Sequence, residues 1–182
     1  MTSQHKAETR ERILASAGEL FRSQGIDGVG VDAVMRQAGL THGGFYAHFA
    51  SKEALVAEVS AAALARSATR WERLSEEHDP ATALARIVES YLDPAHVAAA
   101  ERGCVLATLG PEVARRPEAR PAITVAIRRM LDALARCLPG RRRRTLATLS
   151  CLVGAVVLAR LCDDERLAGD FLTAARRAAG LR

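Results

Sequence analysis

Apolar residues recur at helical spacing along nearly the whole chain of 182 residues, and no segment alternates apolar and polar residues as a half-buried strand does. The apolar face of the first predicted helix is formed by Ile13, Leu14, Ala17, Leu20 and Phe21. Gly25 follows it, where a C-terminal cap is expected. The apolar positions of a short second helix are Val31, Val34, Met35 and Ala38. Gly39 follows this second pattern, so we expect two consecutive helices, each closed by a glycine.

The next segment, residues 40–55 (LTHGGFYAHFASKEAL), places two glycines beside three aromatic residues. Thr41 is a good N-cap, and the leucine before it has the spacing of a hydrophobic staple with Phe45. The segment therefore predicts a third helix with Gly43 and Gly44 in its first turn, rather than a hairpin turn. Each glycine costs about 1 kcal/mol relative to alanine inside a helix, so some other gain should compensate.

A long helix is predicted to begin near Ser51 and to run past Trp71. Further helices are predicted at about 80–92, 94–101, 104–116, 118–138, 142–162 and 165–179, with prolines near three starts and glycines after two ends. The predicted fold is all-α. It has an N-terminal three-helix unit with a helix-turn-helix, over residues 7–67, and a C-terminal helical bundle over residues 68–182.

Composition narrows the class of protein only slightly. The net charge is +5, but basic and acidic residues balance within residues 1–55, so the excess lies in the rest of the chain. Bulk charge therefore permits a nucleic-acid partner without identifying one. The four cysteines form no Cys-x-x-Cys pair, no His/Cys cluster has metal-ligand spacing, and the polar N-terminus has no apolar leader. We expect a reduced, cytoplasmic protein without a metal or a cofactor.

One apolar run raises the question of a membrane. Residues 145–159 form the longest such run, 15 residues ended by Arg160. A membrane-spanning helix needs about 20 residues. The run therefore predicts a buried helix of the bundle and no membrane partner.

On a helical wheel the third helix has one aromatic face and one nearly bare face. Phe45 and Phe49 share a side and are expected to anchor the helix on the domain. The opposite side carries Gly43, Gly44 and Ala47. The flanks carry His42 and Tyr46 on one side, and Thr41 and His48 on the other. A helix with a smooth outer face can approach the floor of a DNA major groove, with polar flanks near the phosphates. Lys52, in the next helix, can add a phosphate contact.

Residues 9–55 resemble the N-terminal domain of the TetR/AcrR family of transcriptional regulators. The matching pieces are Thr9-Arg-Glu-Arg-Ile-Leu, Ala17…Leu20-Phe21…Gly25, Val34-Met-Arg-Gln-Ala-Gly-Leu-Thr and Phe45-Tyr-Ala-His-Phe-Ala-Ser-Lys-Glu-Ala-Leu. The resemblance implies phosphate contacts from Thr41, Tyr46, His48 and Lys52, and base-edge contacts around His42, Gly43, Gly44 and Ala47. The sequence departs from the family at Gly30, where Ser or Thr often caps the second helix. Glycine has no side-chain oxygen, so a phosphate contact at this position is not expected.

The resemblance also implies that the last two long helices form a homodimer and that the bundle holds a small-molecule pocket. A stripe of small residues at i+4 spacing favours the dimer independently: Ala147, Cys151, Ala155 and Ala159. The last helix adds an apolar face that includes Leu167, Phe171 and Ala175. Small apolar residues between about 60 and 160 leave room for a largely apolar effector. The candidate lining residues are Trp71, Tyr91, His96 and Cys104, and ordinary packing explains each of them equally well.

Three functions remain open from the sequence. The first is a ligand-responsive repressor that binds a palindromic operator in double-stranded DNA as a homodimer. The second is a DNA-binding regulator that responds to thiol oxidation, for which Cys104 beside Arg102 is the best sensor candidate. The third is an all-α interaction protein that binds no DNA. No nucleophile elbow, kinase set or zincin motif occurs, so we do not expect an enzyme.

Overall fold

The computed structural model describes residues 3–181, and all regular secondary structure in that part of the chain is helical, which confirms the all-α prediction. The helices of the first part are α1 (Ser3–Gln24), α2 (Val31–Gln37) and α3 (Lys52–Glu77), with a short 3₁₀ helix, His42–Ala47, between α2 and α3. We call this 3₁₀ helix the recognition segment. The helices that follow are α4 (Pro80–Tyr91), α5 (Pro94–Ala98), α6 (Val105–Ala114), α7 (Arg120–Cys137), α8 (Arg142–Leu161) and α9 (Glu165–Ala178).

Local capping signals explain most of these boundaries. Ser51 precedes α3, and its side-chain oxygen accepts a hydrogen bond from the Ala54 amide at 3.1 Å. Asp79 caps α4 in the same way, with Pro80 at the first helical position. Gly39 adopts a left-handed backbone with φ of 67°, which ends α2. Among the helices after α3, residues 94–101 differ from the prediction, because they form α5 and a separate 3₁₀ turn, Ala100–Arg102. Another 3₁₀ turn, Pro117–Ala119, precedes α7.

The long helix α3 belongs to both parts of the molecule. It packs on α1 and also along α7, in the most extensive helix pair of the fold. On that side Glu72 accepts two hydrogen bonds from the Arg129 guanidinium, at 2.8 and 2.6 Å. The Arg129 hydrogen bonds lower the pKa of the Glu72 carboxyl, as expected for a carboxylate held by a bidentate cation. α3 is thus continuous across residue 67, the predicted end of the first domain.

The end of α1 and the loop after it contact the bundle directly. The Glu112 carboxylate on α6 accepts a hydrogen bond from the backbone amide of Ile26 at 2.7 Å. Arg116 forms an ion pair with Asp27. Arg22 donates from its Nε to the backbone carbonyl of Glu101. These contacts tie the helix-turn-helix unit to the segment formed by residues 100–116.

We expect Glu112→Ala to lower the free energy of unfolding by about 1–3 kcal/mol, because it leaves the buried Ile26 amide without an acceptor. Urea unfolding monitored by circular dichroism measures this. Glu118→Ala, at an exposed position before α7, is the control and should change stability by less than about 0.5 kcal/mol. Equal stability of the two variants would contradict this role of Glu112.

Helix α8 is buried on one side only. It is long and apolar enough, by length and composition, to cross a membrane, and 39% of its apolar window is buried within the protein. Its inner side packs mainly on α9, with further contacts to α6 and α7. The prediction of a buried helix is therefore correct for that side and wrong for the other, where Leu146, Leu158 and Leu161 are exposed.

The predicted small-residue stripe of α8 does not lie on one surface. Ala155 and Ala159 are buried inside the same chain, at 6% and 5% exposure, whereas Ala147 is exposed and Cys151 is half-buried. The reason is geometric: positions four apart advance 40° around a helix, so a stripe of four rotates from the outer to the inner side. Ala155 and Ala159 are therefore core residues, and the outer side of α8 is centred on Ser150, Gly154 and Leu161.

Candidate nucleic-acid interface

Two phenylalanines anchor the recognition segment as the sequence predicts. Phe45 is fully buried and Phe49 is 4% exposed, and their rings stack with centroids 5.6 Å apart. The Arg10 guanidinium of α1 lies over the Phe49 ring, 4.6 Å from its centroid, and also forms an ion pair with Glu58 of α3. The segment is thus fixed between the first and third helices.

The recognition segment is a 3₁₀ helix of six residues, and the prediction of an ordinary α-helix with Thr41 as its side-chain cap is wrong. The Thr41 side chain makes no capping hydrogen bond. A tighter helix turns its residues by about 120° each, so the wheel drawn at 100° misplaces some of them. A Cβ built on Gly44 would lie 3.6 Å from the Met35 side chain, so Gly44 faces α2 and not the outer surface.

Gly43 does lie on the open side. Among residues 3–181, apart from the adjacent residues and the backbone of the same helix, no atom would lie within 4 Å of a Cβ built there, and the backbone of Gly43 does not have a positive φ. The neighbouring exposed positions are Thr41, His42, Tyr46 and Ala47. Tyr46 is the most prominent, with 64% of its surface exposed. The result is a bare backbone position with polar and aromatic side chains beside it.

The polar side chains at this surface differ in their exposure and in their contacts with the rest of the protein. His42 Nδ1 lies within hydrogen-bonding distance of the Asp32 carboxylate in the first turn of α2, and the His42 ring makes an edge contact with Tyr46, with centroids 6.2 Å apart. Lys52, the first residue of α3, is half-buried. Gly30 precedes α2 and, as the sequence predicts, provides no side-chain cap. His42 is therefore oriented by the protein before any partner binds.

His48 is half-buried, and its Nδ1 atom is buried without a hydrogen-bond partner in the described part of the chain. Burial lowers the pKa of His48 below its usual value of 6.5, and the nearby charges of Lys6 and Arg10 lower it further. His48 is therefore neutral near pH 7 in the free protein.

We expect His48→Gln to remove a pH dependence of stability. Because the folded state lowers the His48 pKa, the unfolded state binds more protons between that lowered pKa and the usual value. The free energy of unfolding should thus rise with pH up to about 6.5 and be smaller below it. Urea unfolding at several pH values between about 5 and 7 measures the slope. His5→Gln, on the exposed start of α1, should keep the wild-type slope.

The four effector candidates predicted from the sequence line one cleft of about 260 Å³. Trp71 of α3 contacts the Tyr91 ring edge to face, with centroids 5.6 Å apart, and Tyr91 lies 5.0 Å from the His96 ring. The Cys104 amide donates to His96 Nε2 at 3.1 Å, so His96 Nδ1 carries the proton and donates to the Tyr91 carbonyl. Both His96 nitrogens are therefore used within the protein, and His96 orients the wall of the cleft.

Sequence reasoning missed three arginines of this cleft: Arg22, Arg66 and Arg70. Arg66 and Arg70 are four residues apart on α3, so they lie on one side of the helix, and both line the cleft together with Trp71. This spacing is the sequence pattern from which the pair could have been predicted. A larger and more apolar cleft, of about 390 Å³, lies between α6 and α7. Its lining includes Val105, Leu106, Val113, Ile123 and Ile127, and none of the four predicted candidates.

The cysteines give little support to a thiol switch. Cys104 is 5% exposed, and the Arg102 side chain that the sequence places near it lies outside the described atoms. Burial raises the pKa of the Cys137 thiol. Cys151 and Cys162 are half-buried. Cys104 thus lacks the exposure that a reactive sensor needs.

A helix-turn-helix joined to a helical bundle is an arrangement found in known regulatory proteins, and the chain was compared with them. Residues 13–59 match the model of bacterial regulatory proteins of the tetR family. The chain is 41% identical over 51 residues to the HTH-type transcriptional regulator SrpR of Pseudomonas putida, an alignment that covers 28% of this chain and 24% of SrpR. The chain thus matches about a quarter of the length of that curated relative.

Solved structures extend the likeness of the fold over the whole chain. A TetR-family regulator from Agrobacterium tumefaciens superposes with a TM-score of 0.79 and 19% identity, covering 94% of this chain and 98% of that one. The reduced form of E. coli NemR gives 0.77 and 21%, covering 93% and 96%. The helix-turn-helix of this chain thus matches the tetR family by sequence, and the rest of the chain shares the fold of these structures.

Proposed function

We propose that this protein is a transcriptional regulator that binds a two-fold-related operator in duplex DNA as a homodimer and is released by a small-molecule effector. The observation that carries the proposal is the recognition segment. It presents the bare backbone of Gly43 between exposed His42 and Tyr46, and two buried phenylalanines hold it on the domain.

The surface around Gly43 suits a major groove. Gly43 itself has no side chain, so its backbone can approach base edges, and His42 and Ala47 are placed to contact them. Thr41, Tyr46, His48 and Lys52 surround this position and would contact phosphates, which fix orientation without reading sequence. Gly44 contributes by packing on Met35 and not by touching DNA.

A second copy of the chain is expected to cover the exposed apolar residues of α8 and α9. These are Leu146, Leu158, Leu161 and Leu167, and Leu161 is 76% exposed. Exposed leucines grouped on two adjacent helices favour an interface over a solvated surface. Pairing through α8 and α9 would also supply two recognition segments, which a six-residue reading element needs for tight specific binding.

Recovery of bound fragments from genomic DNA by the purified protein tests the DNA partner. On the recovered site, Lys52→Gln should weaken binding and reduce the slope of log affinity against log salt by about 1, because it removes one phosphate contact. Arg86→Gln is the control, because it also removes one positive charge but lies on the exposed side of α4. This variant should leave the salt slope unchanged. Failure to recover any specific fragment would favour the interaction protein that binds no DNA.

The effector response is supported by the connection between the two domains. α3 runs from the recognition segment to the bundle without a break, so a ligand that tilts it moves the recognition segments of a dimer relative to each other. A ligand acts in this way only if it binds the DNA-incompetent arrangement more tightly. The sequence predicts a largely apolar effector, and the clefts beside Trp71 and between α6 and α7 are the two candidate sites.

A further inference from the structure

The opening of the cleft beside Trp71 carries an unbalanced positive charge. Arg66 and Arg70 of α3 are exposed there, and neither forms an ion pair within residues 3–181. Arg22 of α1 completes the group; burial lowers its pKa first, and the nearby Arg66 lowers it further. The nearby carboxylates of Glu19 and Glu101 raise the pKa of Arg22 and partly offset its charge.

The inner wall of the same cleft is aromatic and contains an unsatisfied polar atom. Trp71 and Tyr91 are 3% and 5% exposed. The Tyr91 hydroxyl is buried without a geometric hydrogen-bond partner among the described residues. Burial, together with the neighbouring Cys104 thiol, raises the Tyr91 pKa well above its usual range, so the hydroxyl keeps its proton. The protonated hydroxyl can therefore donate a hydrogen bond to an oxygen substituent on a ligand ring that lies against Tyr91.

We propose that this cleft binds a small organic carboxylate with a single flat ring. The carboxylate would lie among Arg22, Arg66 and Arg70, and the ring against Trp71 and Tyr91. A volume of about 260 Å³ is near the small end of ligand pockets, which favours one ring over a long acyl chain. The apolar cleft between α6 and α7 has no comparable group of cations and would suit a neutral ligand instead.

Arg22 would connect such a ligand to the DNA-binding unit. Its Nε donates to the Glu101 carbonyl, one of the contacts that joins α1 to the bundle. A carboxylate that draws the guanidinium into the cleft would weaken this bond and loosen α1 from residues 100–102. This consequence, unlike the binding itself, rests on the proposed function.

The single tryptophan of the chain makes the binding measurable, because Trp71 lies in the cleft wall. Titration with benzoate should change Trp71 fluorescence saturably. Benzyl alcohol, which keeps the ring and lacks the charge, should bind at least about 10-fold more weakly, as should acetate, which keeps the charge and lacks the ring. Equal binding of benzoate and benzyl alcohol, or no saturable change with benzoate, salicylate and phenylacetate, would overturn the proposal.

Variants at the exposed arginines separate charge recognition from folding. Arg66→Gln and Arg70→Gln should each weaken benzoate binding by about 10-fold, because each removes a hydrogen bond to a charged group. Arg73→Gln is the matched control on the same helix, outside the cleft and 3.8 Å from Glu77, and should bind benzoate as the wild type does. Wild-type affinity in both cleft variants would also overturn the proposal.

The same measurements distinguish this inference from the proposed function. Fluorescence requires no DNA, so benzoate binding without any operator binding would leave the cleft assigned and remove the regulator. Operator binding without benzoate binding would support the regulator and overturn the assignment of the cleft. Where both are present, benzoate should release operator DNA from the wild type, and less readily from Arg22→Gln.

Discussion

Gly43→Leu should abolish sequence-specific DNA binding and leave the free energy of unfolding close to that of the wild type. Apart from its chain neighbours, no described residue lies within 4 Å of a Cβ at this position, and its φ is not positive, so the domain accommodates a side chain there. On the outer surface, however, a leucine would hold the segment away from the base edges. Specific affinities exceed non-specific ones by about 10³-fold or more, so we expect a loss of at least that order.

Fluorescence anisotropy with the recovered operator measures the affinity, and urea unfolding measures the stability. Ala15→Leu adds the same side chain to an exposed position of α1, in the groove beside α3, and should bind the operator as the wild type does. Gly44→Ala should also bind normally, since its methyl group would make an ordinary contact with Met35. An intact operator affinity in Gly43→Leu would disprove the close approach.

Gly154→Arg should convert the dimer into a monomer and lower operator affinity by about 10²–10⁴-fold, the range by which two linked contacts exceed one. Gly154 is on the outer side of α8, and a Cβ built on it has no atom of the same chain within 4 Å. The substitution therefore spares the fold of one chain and places a charge where a second copy must pack closely. Ala155→Arg would not separate these effects, because Ala155 is buried in the bundle.

Light scattering at micromolar concentration measures the oligomeric state, and circular dichroism checks that the chain is folded. Thr124→Arg introduces the same charge at an exposed position of α7 and should remain dimeric. If Gly154→Arg stays dimeric and binds the operator normally, the two copies associate through a different surface.

Sequence reasoning predicted the helices well where their ends are encoded locally. Asp79 followed by Pro80, and Gly39 after a short apolar repeat, mark helix ends through side-chain oxygens and backbone freedom that depend on adjacent residues only. The recognition segment is different. Phe45 and Phe49 indicate which side is buried, but their spacing does not distinguish a 3₁₀ helix from an α-helix, so Gly44 was placed on the wrong side.

The residues of the recognition segment and of the cleft beside Trp71 could likewise be predicted where adjacent sequence determines their position, and not where helix packing does. Tyr46 and Gly43 could be assigned to the outer surface because the aromatic pair fixes the inner one. The orientation of Arg10 over Phe49 depends on α1, and the meeting of Arg22 with Arg66 depends on how two helices pack. Neither follows from periodicity in one segment. Ala155 was assigned to the surface because residue size was considered without the rotation of the helix.

Because α3 is continuous, its length fixes the orientation of the recognition segment relative to α8 and α9, the helices of the proposed dimer interface. Each added residue would turn the recognition segment by about 100° about the helix axis and move it by about 1.5 Å relative to α8 and α9. An insertion of seven residues, close to two full turns, would restore the direction and shift the segment by about 10.5 Å. Proteins with this architecture should therefore vary the length of the connecting helix by whole turns, and the separation of their paired half-sites should change in matching steps.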